Sequence, residues 1–79
     1  MPKVLEINGF IFFFYSQEGN EPPHIHIRKA GAIAKFWLET LELVENYGFS
    51  SSQIQFIRKA IKDNQDLLIE ARNEFFYGT

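Results

Sequence analysis

The chain has no cysteine. That excludes a disulfide staple and a thiolate metal centre, and it fits a reducing compartment. No apolar run approaches the ~18 residues needed to cross a bilayer as a helix. The first six residues, MPKVLE, lack the basic start, apolar middle and small-residue cleavage site of a signal peptide. A cytoplasmic location with no membrane contact is therefore expected. A strong net charge is also missing: the formal charge is −2, which argues against a protein held to nucleic acid by bulk charge. Neither a linker, an internal repeat nor a low-complexity stretch interrupts the sequence.

What is present is aromatic mass. The 79 residues include nine Phe, three Tyr and one Trp. A chain this short buries only about 60% of the surface its unfolded form exposes. Aromatic side chains, at roughly 150–250 Å² each, offset that limit. One domain spanning residues 1–79 is expected.

The pattern along the chain alternates strands and turns before one helix. Residues 4–7 read as a short strand, and Asn8-Gly9 is a signal for a two-residue hairpin. Residues 10–15 are apolar throughout, as in a central strand covered on both faces. A polar loop follows, ending in Pro22 and Pro23, which hold an extended backbone. Residues 24–29 and 32–38 form the next two strands around Ala30-Gly31, and residues 41–44 give a short fifth. Ser50 is an N-cap, with Gln53 completing a capping box and Phe49 and Ile54 a hydrophobic staple. Ile54, Ile57, Ile61, Leu68, Ala71 and Phe75 then recur at helical spacing, widened by Phe56, Ala60 and Leu67. Asn64 falls on this stripe, so it needs a partner there or marks a break.

The expected fold class is α+β: a small antiparallel sheet of four or five strands with one long C-terminal helix packed on one face. The strands lie within residues 3–45 and the helix covers about 50–77. One helix covers one face only, yet the second strand is apolar on both sides, Phe10, Phe12 and Phe14 against Ile11, Phe13 and Tyr15, so one of those rows, near Trp37, is left uncovered. Such a row implies a partner protein or a second copy.

The stretch PPHIHIRK, residues 22–29, concentrates the chemistry. Side chains on a strand alternate faces, so His24, His26 and Arg28 point one way and Ile25 and Ile27 the other. With a two-residue turn, His24 faces Trp37, His26 faces Lys35 and Arg28 faces Ile33. A slip of one residue would mix the polar and apolar sets, so the pattern itself favours this register.

Three readings of that face are open. His24 and His26 can hold a divalent ion, with Glu21 or Glu18 as third ligand, although Arg28 and Lys35 would repel it. No metal or other cofactor is assigned. Alternatively, His24 and His26 act as base and acid in ribonuclease-like chemistry, with Arg28 and Lys35 as phosphate-binding cations and Tyr15 or Trp37 stacking a base. In the third reading the face recognises another molecule without chemistry, with Tyr15, Pro22, Pro23 and Trp37 as binding residues. The bland alternatives are hydrogen-bonded structural histidines and a core tryptophan. The charged helix residues, including Arg58, Lys59, Lys62, Asp66, Glu70 and Glu74, read as a solvated surface.

The segments MPKVLEINGFIFFFYS, EPPHIHIRK, AKFWLE, ELVENYGFS and the closing NEFF resemble those of the small bacterial domain of unknown function 4160 family. The resemblance covers nearly the whole chain. It makes Pro22, Pro23, His24, His26, Lys35, Trp37, Tyr47 and Gly48 the recognisable positions. The resemblance implies a bacterial protein encoded beside a second small protein, in a toxin–antitoxin-like arrangement with this chain as the toxin-like component. It implies no settled activity. The expected partners are that small protein or a second copy, and RNA if the ribonuclease reading holds.

Overall fold

The computed structural model describes residues 3–15 and 21–77. Five strands form one antiparallel sheet in sequence order: β1 (Lys3–Ile7), β2 (Phe10–Phe13), β3 (His24–Lys29), β4 (Ala32–Trp37) and β5 (Leu43–Tyr47). Two helices follow, α1 (Ser51–Asp63) and α2 (Gln65–Tyr77).

The hairpin turns have the chemistry that their backbone requires. Asn8 and Gly9 take φ 50° and 83°, and Ala30 and Gly31 take 48° and 86°. Two successive positive values are what a tight two-residue connection between twisted strands demands. The Ala30-Gly31 turn sets the β3–β4 pairing, His24 opposite Trp37, Ile25 opposite Phe36, His26 opposite Lys35 and Arg28 opposite Ile33. That register agrees with the one favoured by residue alternation.

One face of the sheet carries the core. Phe10, Phe12, Phe14, Ile25, Ile27, Ala34, Phe36 and Leu38 pack against Phe49, Ile54, Ile57, Ala60, Ile61 and Leu68. Burying each large apolar side chain contributes about 1.5–3 kcal/mol, which is how a short chain offsets its conformational entropy. The α1 N-terminus is a full capping box: Gln53 N–H donates to Ser50 Oγ (3.2 Å) and Ser50 N–H donates to Gln53 Oε1 (2.9 Å). Arg58 Nε donates to the Leu41 carbonyl (3.0 Å) and Gln65 Nε2 to the Leu38 carbonyl (2.7 Å), tying both helices to the connection between β4 and β5.

Four expectations are corrected. The single long helix is two helices, divided at Asn64. There the backbone leaves helical geometry (φ −118°, ψ 20°) and the side-chain amide donates to the Ala60 carbonyl at 2.8 Å. An asparagine that satisfies the backbone locally competes with helix continuation. The second strand ends at Phe13 rather than Tyr15. The fifth strand lies at Leu43–Tyr47, not 41–44, and so passes residue 45. Leu41 instead takes φ 66° and its N–H donates to the Trp37 carbonyl (3.0 Å), closing a turn. Finally, the aromatic row on the other face is open only in part: Phe13 is 2% exposed, while Tyr15 is 39% exposed.

Candidate functional site

The second face of the sheet is built from transverse rows. Antiparallel pairing aligns Lys3, Phe13, His26, Lys35 and Glu45 across all five strands. A parallel row runs Glu6, Ile11, Arg28, Ile33 and Tyr47. His24 and Trp37 form a further pair. Side-chain alternation on β3 and β4 thus delivers both histidines, the lysine and the tryptophan to one surface.

Their contacts make a continuous cluster. The His24 and His26 rings meet edge to face at 5.4 Å between centroids, and His24 meets Trp37 at 5.9 Å. His26 is stacked on Phe13 at 5.6 Å and touches Tyr15 at 4.3 Å. The Lys35 ammonium lies 5.3 Å from the Trp37 ring centre, and the Arg28 guanidinium lies 5.9 Å from that of Phe13. Both are within cation–π range. Arg28 and Tyr15 lie against the buried Phe13, while Tyr15 itself stays exposed.

Glu21 organises the polar side of the cluster. Its carboxylate accepts a hydrogen bond from Lys35 Nζ at 2.5 Å and lies 3.7 Å from His24 Nδ1. The Lys35 hydrogen bond holds the Glu21 carboxyl below its ordinary pKa, against a smaller opposing desolvation; the charges of Lys35, His24 and His26 add to the lowering. The Glu21 side chain is half exposed, so solvent screens the pair and its contribution to stability is small.

The two prolines act through their carbonyls. Pro22 O accepts from His24 Nδ1 (3.0 Å), and Pro23 O accepts from Leu38 N–H (2.9 Å). A carbonyl only accepts, so Nδ1 of His24 carries the hydrogen and Nε2 is left as the basic nitrogen when the ring is neutral.

Burial divides the face into two tiers. His24, His26 and Lys35 are 5%, 8% and 8% exposed. Tyr15 is 39% exposed, Arg28 is exposed, and Trp37 is half-buried. The structure therefore brings His24, His26, Lys35, Trp37 and Tyr15 into one cluster, with Arg28 one row away on the same face. It joins Lys35 to Glu21, a residue that sequence reasoning weighed only as a metal ligand. The signal that could have revealed this pair is the absence of any other acid between residues 22 and 38. Among the described residues, no three His, Asp or Glu side chains are grouped to hold a metal ion. Glu18, the other candidate third ligand, lies outside the described residues. No described helix is long and apolar enough to cross a membrane.

Residues 9–71 match the family described as Domain of unknown function (DUF4160). No curated protein and no solved structure gives a significant match to the chain. The match covers most of the chain, which therefore belongs to that family.

Proposed function

We propose that this DUF4160 chain is the toxin-like component of a two-protein bacterial module, and that it acts by binding a protein through the β3–β4 face. The division of that face by burial carries the second part. His24, His26 and Lys35 form a floor with little solvent access, while Tyr15, Arg28 and Trp37 stand at its surface. Tyrosine, arginine and tryptophan are the residues on which protein interfaces most often concentrate their energy. The electrostatics favour a protein over RNA. Lys3 is paired with Glu6 at 3.1 Å and Lys35 with Glu21, so much of the cationic charge on this face is already neutralised. A polyanion needs the reverse. The pairing with a second small protein comes from the family resemblance alone.

One observation supports a second reading. The Pro22 carbonyl accepts from His24 Nδ1 and so fixes the ring's tautomer and orientation, which is how a general base is positioned. In that reading His24 and His26 exchange protons at an RNA phosphodiester and Arg28 binds the phosphate. It requires the buried imidazoles to become accessible.

The experiment is induction of the wild-type gene in a bacterial host, with growth and total RNA followed together. Growth arrest with intact RNA is the expected result. Arrest with rapid RNA cleavage would move the assignment to the ribonuclease reading. Sustained growth with the protein well expressed would refute the toxin-like role.

A further inference from the structure

The helical stripe contains two large apolar residues that stay partly open to solvent, Leu67 and Phe75, the latter with its ring stacked on Phe14 at 6.3 Å. Leu67 is 51% exposed and Phe75 is 40% exposed, although both share a helix with the fully buried Leu68. Leu67, Ala71 and Phe75 are spaced i, i+4 and i+8, so they form one ridge over about 12 Å of helix. Asp66, Glu70 and Glu74 follow the same spacing one residue earlier and run as a parallel acidic line. The helix has no lysine, and its one arginine, Arg72, is 8% exposed. At the start of the ridge, the junction of α1 and α2 forms a groove of about 410 Å³ lined by Lys62, Asp63, Asn64, Gln65, Asp66 and Leu67, so that one cation faces two carboxylates there.

We propose that α2 is a docking ridge for a basic amphipathic helix of a different protein. The apolar line Leu67, Ala71 and Phe75 takes the partner's apolar anchors, as in helix-in-groove recognition. The acidic line takes flanking lysines or arginines, which fix orientation and speed encounter. Charge also decides against a second copy. An antiparallel two-fold pairing of this ridge would set Asp66, Glu70 and Glu74 against the same acidic line of the other chain. The ridge belongs to the helical layer, on the opposite side of the sheet from the histidine face. A partner seated here leaves that face uncovered, so this assignment does not depend on the binding role of the β3–β4 face.

The test uses the intact chain and a synthetic helical peptide. The peptide carries leucines at i, i+3 and i+7 flanked by lysines, and a control carries glutamates in place of the lysines. Fluorescence anisotropy gives the affinity and amide chemical shifts of labelled protein give the site. The lysine peptide is expected to shift the amides of residues 66–75, and to lose roughly tenfold or more in affinity with Glu70→Lys plus Glu74→Lys. That doubly substituted chain should instead bind the glutamate peptide. Leu67→Ser should weaken both peptides. Glu70→Gln plus Glu74→Gln is a milder pair should the lysine variant fold poorly, and it should lose affinity in the same direction. Absence of binding, shifts confined to other surfaces, or affinity indifferent to these substitutions would overturn the assignment. Sedimentation as a dimer that Leu67→Ser converts to monomer would give the ridge to a second copy and overturn it equally.

Discussion

Two glycines with similar backbone conformations should respond very differently to alanine. Gly31 (φ 86°) closes the β3–β4 turn, and a Cβ placed there meets nothing within 4 Å. Gly48 (φ 102°) joins β5 to the α1 cap, and its Cβ would lie 3.1 Å from the Ala32 Cβ and 3.4 Å from the Ala32 Cα. Alanine in left-handed geometry costs roughly 1–2 kcal/mol. Gly31→Ala should cost that and little more. Gly48→Ala carries the same backbone cost plus the steric one, and its neighbour includes main chain that cannot rotate away. Overpacking adds about 1–3 kcal/mol, so Gly48→Ala should cost roughly 2–5 kcal/mol in total. In a domain of this size each kcal/mol moves Tm by about 4–8 °C. Urea titration of the two variants beside wild type measures the difference through the midpoint at constant m-value. Equal losses, or a larger loss at Gly31, would refute the packing argument.

The remaining predictions concern local chemistry. Ala30 holds φ 48°, so Ala30→Asn should stabilise by a few tenths to about 1 kcal/mol, because asparagine accepts this geometry more readily; a lower urea midpoint would contradict it. Ser50→Ala removes one half of the α1 capping box and should cost about 1 kcal/mol, seen as a fall in Tm of about 4–8 °C. The Glu21 carboxyl is depressed by the Lys35 hydrogen bond. Its contribution is therefore present above the ordinary carboxylate pKa and lost as pH falls through the lowered folded value. Glu21→Gln should flatten the acid limb of a stability–pH curve while leaving its shape near neutrality unchanged, and an unaltered acid limb would contradict the pairing.

Much of the fold was legible because local rules fix it. Asn8-Gly9 and Ala30-Gly31 specify turns whose length sets strand register, and register then places His24, His26, Lys35 and Trp37 on one face. Ser50 and Gln53 start the helix through a reciprocal hydrogen-bond pair that spacing alone reveals. The failures share a different cause. Leucine gives no warning that residue 41 will take φ 66°, and the displaced β5 follows from that turn. Asn64 sits on the apolar stripe, and periodicity cannot decide whether its amide bonds a side chain or the Ala60 carbonyl that ends the helix. Periodicity also counts Leu67 and Phe75 as core, since it is blind to how much of each side chain the layer beneath covers. Burial of Phe13 depends on where Arg28, Tyr15 and His26 come to rest, which alternation does not specify.

The same division runs through the site. Which residues share the face was readable; which of them are accessible was not. Lys35 read as a free cation until Glu21, fourteen positions away, was found against it. Paired and 8% exposed, Lys35 lies in the floor of the surface, and Arg28 is the exposed cation of the β3 strand's polar face.

The most direct test is growth after induction of wild type, Tyr15→Ala plus Arg28→Ala, and His24→Gln, each confirmed as folded by its thermal transition and as expressed. Loss of arrest in the Tyr15 and Arg28 double variant, with Tm unchanged, is the predicted result for a face that works by binding. Arrest that survives the double substitution but disappears with His24→Gln in a folded protein would contradict it and place the action in the imidazole chemistry below.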